Sequence, residues 1–144
     1  MANAQQMLRE KGGTLITVTP DASVLKAAER MNEHHIGSLV VTQNERLVGI
    51  FTERDILQRV VAKQLDPATT TVSDVMTAAV ACATSQTTLD EMKSVMREKR
   101  IRHLPVVDTD HHVLGMISIG DLNRTQQNVQ ERTIRYLEQY MSVS

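Results

Sequence analysis

The feature that most constrains the fold of this chain is an internal repeat. Residues 19–42 match residues 84–107 in the order of their apolar and polar side chains, and residues 47–57 match residues 113–123. The second copy has one more residue between its two matched segments. A solenoid needs at least three such units. Two copies therefore indicate a pseudo-symmetric pair in which each half covers the apolar face of the other.

Each copy changes its hydrophobic period in the same order. A short β-like run at residues 15–18 is followed by apolar residues at helical spacing. These residues are Val24, Ala27, Ala28 and Met31 in the first copy and Leu89, Met92, Val95 and Met96 in the second. Two short apolar runs, at residues 39–41 and 47–51, then predict a pair of strands, and a second helix is expected from about Glu53. Each repeat is thus predicted to be a β-α-β-β-α unit, and the fold class to be α/β (α+β).

The repeat also predicts the domain boundaries. Residues 5–64 form the first repeat, residues 65–71 a polar linker, and residues 72–127 the second repeat. Residues 128–144 have the pattern of an amphipathic helix, with apolar side chains at Ile134, Leu137, Tyr140 and Met141. This helix either packs on its own domain or forms a dimer contact.

Composition and charge exclude several classes of function. Hydrophobic residues make up 41% of the chain and charged residues 23%, as in soluble globular domains, and no apolar run approaches the ~18 residues of a membrane-spanning helix. Sixteen basic and seventeen acidic residues give a net charge of −1, which disfavours binding to duplex nucleic acid. Single-stranded nucleic acid is disfavoured because stacking platforms are scarce. We expect neither a membrane nor a nucleic acid partner.

The compartment is predicted from the N-terminus and the single cysteine. The first residues lack the basic region and apolar run of a secretory signal. Cys82 cannot form a disulfide within the chain, which is typical of a reducing compartment. The prediction is a cytoplasmic protein.

The most specific signal is a heptad, Gly-apolar-x-Thr/Ser-x-x-Asp, which occurs twice, at residues 49–55 and 115–121. An ionised carboxylate is an acceptor with two oxygens, so Asp55 or Asp121 could hold both hydroxyls of a ribose. Thr52 and Ser118 lie three residues earlier, where a strand turns into a helix and free backbone N–H groups attract phosphate. The same spacing is also an ordinary N-capping pattern. Its repetition favours ribose binding by at least one aspartate.

The sequence predicts neither a metal site nor a catalytic site. The histidine doublets His34-His35 and His111-His112 do not make a natural two-ligand site, because adjacent side chains on a helix or strand point apart. The chain has no pattern that pairs a nucleophile with a base in one cleft. We therefore expect no metal cofactor and no catalysis.

These heptads, with Arg-His-Leu-Pro-Val at residues 102–106 and Val-Ser-Asp-Val-Met-Thr at residues 72–77, resemble the CBS (cystathionine beta-synthase) domain in its tandem form, the Bateman module. The resemblance covers about residues 5–125 and is to small stand-alone bacterial members. It implies a disc-like pair, often a homodimer, that binds an adenine nucleotide such as AMP, ADP, ATP or NAD, or S-adenosylmethionine, and regulates an unidentified downstream protein. The alternative is a structural or protein-interaction module whose clefts stay empty.

The resemblance also implies which residues share a cleft, because each cleft combines the heptad of one repeat with the entry strand of the other. The expected Asp55 cleft contains Thr52, Arg54, Asp55, Met76, Thr77, Ile101, Arg102, His103, Leu104 and Pro105. The expected Asp121 cleft contains Lys11, Gly13, Thr14, Ile36, Gly37, Ser38, Ser118, Gly120 and Asp121. In the first repeat Gly-Ser-Leu-Val at residues 37–40 replaces the Arg-His-x-Pro form. We expect the Asp55 cleft, with more cationic side chains, to prefer the phosphorylated end of a ligand.

Overall fold

A computed structural model describes residues 2–127 of the chain. The predicted C-terminal helix at residues 128–144 lies outside the described residues. Within them, no helix is both long enough and apolar enough to cross a membrane.

The helices and strands follow the order that the repeat predicts, with two additional helices, one at the N-terminus and one over residues 72–75. In the first part of the chain they are α1 (Ala4–Lys11), β1 (Thr17–Val18), α2 (Val24–Glu33), β2 (Ser38–Gln43), β3 (Arg46–Thr52), α3 (Glu53–Asp55) and a π-helix (Ile56–Val61). The second part contains α4 (Val72–Val75), α5 (Leu89–Lys99), β4 (His103–Val107), β5 (Val113–Ser118) and a helix, α6, over residues 119–127.

Side-chain caps explain where the helices begin. The Ser23 hydroxyl accepts a hydrogen bond from the backbone of Lys26 at the start of α2. Thr88 and Glu91 form the predicted capping box of α5. A third cap, in which Asn3 accepts from the backbone of Gln6 at 2.9 Å, starts α1. The sequence analysis did not predict α1.

The strands form two small sheets. β1 pairs with β2 in parallel and β2 with β3 antiparallel, while β4 and β5 form an antiparallel pair. A single parallel bridge between Ala83 and Val106 occupies the place of β1 in the second repeat. The predicted α/β fold of two β-α-β-β-α repeats is therefore confirmed.

Each repeat is completed by a helix that precedes it or follows it in the chain. Ala4 and Met7 of α1 are buried in the core of the second repeat, with Met92 and Met96, and the backbone N–H of Ala4 donates to the carbonyl of Thr87 at 2.8 Å. In the same way, Val72 and Val75 of α4 are buried in the core of the first repeat. The helix α1 lies in the first predicted domain along the sequence but packs on the second.

Candidate functional site

The Asp55 carboxylate lies at the end of β3, where α3 begins, and is only 6% exposed. Its Oδ2 accepts from the backbone N–H of Thr52 at 3.0 Å, and the Thr52 hydroxyl accepts from the backbone N–H of Asp55 at 3.2 Å. The Thr77 hydroxyl donates to Oδ1 at 3.4 Å. The capping pattern is thus present. It uses one backbone donor, while a carboxylate has about four acceptor positions, so capping leaves capacity for a ligand.

Arg59 contacts the same site and was missed by the sequence analysis. Its Nη1 donates to the carbonyls of Val75 at 3.1 Å and Met76 at 2.9 Å, and its Nε lies 3.8 Å from Asp55 Oδ1. Arg59 therefore ties the end of α4 to the heptad. The only signal in the sequence was its spacing of four residues from Asp55, which places two side chains on one helix face.

The Asp121 carboxylate is built in the same way and is also 6% exposed. The backbone N–H of Ser118 donates to Asp121 Oδ2 at 2.8 Å, and the Ser118 hydroxyl accepts from the backbone N–H of Asp121 at 3.1 Å. The ammonium of Lys11 lies 2.9 Å from Oδ2, and Arg124 forms an ion pair with Oδ1. The same ammonium donates to the carbonyl of Met116 at 2.9 Å.

Lys11 and the backbone N–H of Ser118 decide the charge of Asp121. Burial alone raises its pKa, but the hydrogen bond from the Ser118 backbone and the ammonium of Lys11 lower it by more, so the pKa of the carboxyl lies below its usual value. Asp121 is therefore ionised at neutral pH and can accept hydrogen bonds from a diol.

A cavity of about 350 Å³ opens beside Asp121. Its wall is made by Leu8, residues 11–16, residues 36–38, His103, residues 114–116 and Ser118. Seven of the nine residues expected in the Asp121 cleft line this cavity; these are Lys11, Gly13, Thr14, Ile36, Gly37, Ser38 and Ser118. The other two, Gly120 and Asp121, are not part of the wall, but Asp121 contacts Lys11 and Ser118, which are.

The residues expected in the Asp55 cleft are less closely grouped. Thr52, Asp55 and Thr77 are in direct contact, and the Met76 carbonyl is tied to them by Arg59. The side chains of Ile101 and Leu104 pack in the core of the second repeat, and the Pro105 carbonyl accepts from Ala83 at 2.8 Å. Arg54 and Arg102 are exposed. His103, which was expected in the Asp55 cleft, instead lines the cavity that Lys11 and Ser118 also line.

His103 lies among charges of both signs. Burial, together with the positive charges of Arg102 and Lys11, holds the pKa of His103 below its usual value, against the opposing effect of the Asp121 and Glu53 carboxylates. At neutral pH the ring is therefore mostly uncharged in the folded chain.

His103 is expected to make stability depend on pH. Because its pKa is lower in the folded chain, the unfolded chain binds the proton first, so stability falls as the pH decreases from about 6.5 through the folded pKa. The slope contributed by one proton is at most ~1.4 kcal/mol per pH unit. Urea unfolding at several pH values should show this slope in the wild type and in the control His34→Gln, and not in His103→Gln. An unchanged slope in His103→Gln would assign it to another group.

A third group of polar side chains lies in the turn between β4 and β5. Atoms of Asp108, Asp110 and His112 that could bind a metal lie within 4.8 Å of one another. Asp108 Oδ1 accepts from the backbone N–H groups of both Asp110 and His112 at 2.9 Å. These hydrogen bonds give the cluster a role in shaping the turn. Of the doublet His111-His112, only His112 thus belongs to this group, where it lies beside two aspartates.

Comparison with known proteins agrees with this architecture. The family model of the CBS domain matches residues 13–62 and 72–127, which contain both heptads. The chain belongs to the CBS domain family. The resemblance predicted from the heptads is thus confirmed. The protein YhcV of Bacillus subtilis, a CBS domain-containing protein, is 32% identical over 78% of this chain and 79% of its own length. The mitochondrial protein CBSX3 of Arabidopsis thaliana is 31% identical over 94% of this chain and 69% of its own length.

Some relatives are much longer. This CBS pair matches only 22% of the length of the Arabidopsis thaliana protein CBSCBSPB3, at 32% identity. The activities and partners of such proteins therefore extend beyond the part that the two chains share.

Solved structures show the same tandem arrangement. The crystal structure of the CBS domain protein NE2398 is 38% identical, with a TM-score of 0.81 and coverage of 87% of this chain and 97% of that one. The CBS domain pair of protein MJ0100, solved with 5′-methylthioadenosine and S-adenosyl-L-methionine, is 26% identical, with a TM-score of 0.79 and coverage of 89% and 98%. The crystal structure of Hypoxic Response Protein I, which holds two coordinated zinc ions, is 28% identical, with a TM-score of 0.75. The match covers 87% of this chain and 99% of that one.

Proposed function

We propose that this CBS pair is a non-catalytic regulatory sensor that binds an adenine nucleotide, such as AMP, ATP or NAD, in the clefts beside Asp55 and Asp121. The observation that carries the proposal is the pair of buried heptad carboxylates, each held by its own repeat. Of the roughly four acceptor positions of a carboxylate, Asp55 uses two and Asp121 uses three with partners among residues 2–127, so each keeps capacity for a ligand hydroxyl.

The Asp121 cleft has the size and the polar groups that such a ligand needs. Its volume of about 350 Å³ falls in the range of small-molecule sites, which combine an apolar wall with a few convergent polar groups. The ribose diol would donate to Asp121, and a phosphate would meet the cation Lys11 and the hydroxyls of Ser38 and Ser118.

The relatives support an adenosine-containing ligand. Protein MJ0100 was solved with two compounds that share an adenosine and differ in the group at its 5′ position. The shared adenosine contains the ribose hydroxyls, which can donate hydrogen bonds to a carboxylate. The nature of the 5′ group is therefore a separate question for this chain.

The proposal is tested by ligand-dependent melting. AMP, ATP or NAD at ten times its dissociation constant should stabilise the folded chain by ~1.4 kcal/mol per site, provided that the unfolded chain does not bind it. Asp55→Asn and Asp121→Asn remove a charge but keep an oxygen that can cap the helix. Calorimetry should show that each variant loses one binding event, and that the surface control Asp21→Asn loses none.

The opposite outcome identifies the alternative function. If AMP, ATP and NAD at millimolar concentration all leave the melting curve unchanged, the chain is an interaction module with empty clefts. The predicted homodimer, the downstream protein partner and the cytoplasmic location stay predictions, as do the domain boundaries.

A further inference from the structure

We propose that Lys11 makes the Asp121 cleft selective for adenosine compounds with a 5′ phosphate, and that it discriminates against neutral and cationic adenosine compounds. This inference rests on the proposed function, because it concerns which ligand the Asp121 cleft accepts. Lys11 would act as a specificity-determining residue.

Lys11 has the hydrogen-bonding capacity to bind a ligand. Its ammonium has three donors, and two of them are directed at Asp121 Oδ2 and the Met116 carbonyl, each at 2.9 Å. Its third donor has no partner among residues 2–127 and remains for a ligand. Lys11 lines the cavity, and its side chain is 42% exposed, so a phosphate can approach it without displacing the ion pair.

The part of the cavity wall beside Lys11 is formed by glycines without side chains. Gly12 and Gly13 follow it with positive φ angles of 62° and 79°. A Cβ built on either glycine would meet no atom within 4 Å, so this side of the cavity is open. A phosphate at this place would have access to the Lys11 ammonium.

The charge balance around Asp121 also favours a phosphate. The carboxylate is already matched by two cations, Lys11 and Arg124. A cationic ligand such as a sulfonium would add positive charge beside them, and a neutral ligand would leave the third Lys11 donor without a charged partner. A phosphate gains a charge-assisted hydrogen bond. Lys11 thus favours an anion beside it, while the Glu53 carboxylate lies against Gly37 in the wall of the same cavity.

The two heptads differ in the charge of their direct partners. Each carboxylate has an arginine near its Oδ1, Arg59 four residues after Asp55 and Arg124 three residues after Asp121. The further side-chain partner of Asp55 is the neutral Thr77 hydroxyl at Oδ1, whereas that of Asp121 is the Lys11 ammonium at Oδ2. The charge of Lys11 is therefore the main difference between two similar sets of direct partners. The sequence analysis assigned the preference for phosphate to the Asp55 cleft, from Arg54, Arg102 and His103. The structure favours the Asp121 cleft, because the Lys11 ammonium lines that cavity and contacts Asp121, whereas Arg54 and Arg102 are exposed.

The experiment is a calorimetric titration of the Asp55→Asn chain, which retains only the Asp121 site, with AMP, the neutral compounds adenosine and 5′-methylthioadenosine, and the cationic S-adenosylmethionine. We expect AMP to bind at least ~10-fold more tightly than the two neutral compounds. Lys11→Met should weaken AMP binding by ~10- to 100-fold, the loss expected for one charge-assisted hydrogen bond, and leave adenosine binding unchanged or stronger. Lys11→Arg should retain the preference, and the surface control Lys63→Met should change neither.

Three results would contradict the inference, and they differ from failure of the proposed function. An equal loss of AMP and adenosine in Lys11→Met would show that Lys11 only supports the fold. Equal affinities for AMP and the neutral compounds in the chain that retains Lys11 would show that Lys11 does not select for a phosphate. Tighter binding of S-adenosylmethionine than of AMP would show the same. Absence of binding by every compound to the wild type would instead reject the proposed function. If Asp55→Asn does not fold, the same titrations in the wild type are assigned to Asp121 by the signal lost in Asp121→Asn.

Discussion

Met7→Ala is expected to lower the free energy of unfolding by about 2 to 5 kcal/mol, the range for truncating a buried methionine. Met7 is 4% exposed and packs with Met92 and Met96 in the core of the second repeat. The substitution would leave a cavity there because the backbone of α1 is held by hydrogen bonds. One of them joins the Ala4 N–H to the Thr87 carbonyl at 2.8 Å.

The measurement is urea unfolding of the variant beside two others. Gln5→Ala changes an exposed residue of the same helix and should alter stability by no more than ~0.5 kcal/mol. Met92→Ala truncates a side chain that packs with Met7 in the core, and it should lower the free energy of unfolding by as much as Met7→Ala. A loss below ~0.5 kcal/mol for Met7→Ala would mean that α1 does not complete the second repeat.

Gly49→Ala is expected to lower the free energy of unfolding by about 2 to 3 kcal/mol, near the upper end of the range for overpacking. A Cβ on Gly49 would lie 2.7 Å from the sulfur of Met76 and 2.9 Å from the backbone carbonyl of Thr77. The sulfur can move, but the carbonyl is held by its hydrogen bond from the Ile50 N–H at 2.9 Å. The added methyl group must therefore displace the segment that carries Thr77 away from Asp55.

Gly115→Ala is the matched control, because Gly115 occupies the same position in the second heptad. A Cβ there would lie 2.6 Å from the end of the Leu8 side chain, which can rotate away at little cost. We expect a loss of at most ~1 kcal/mol. Calorimetry should also show that Gly49→Ala weakens binding beside Asp55 and spares the Asp121 cleft. Equal losses of stability for the two variants would contradict this account.

The sequence by itself determined the elements that arise from local patterns. The repeat, the helical spacing from Val24 and from Leu89, and the capping box at Thr88 each depend on residues a few positions apart, so a periodicity or a cap signal reveals them. The heptads were found in the same way. Both aspartates lie where predicted, at the end of a strand and on the first turn of a helix.

The tertiary structure decided which direct contacts are made within each site. The family resemblance placed Lys11 and Asp121 in one cleft, but they are 110 positions apart, and no local pattern indicates that the Lys11 ammonium pairs with the Asp121 carboxylate. Arg59 reaches the carbonyls of Val75 and Met76 because α4 packs on the first repeat. Such contacts depend on how the two repeats exchange their flanking helices, and periodicity within one element contains no information about that exchange. The chemistry of the heptads was therefore readable from the chain, whereas the charges beside each of them depended on packing.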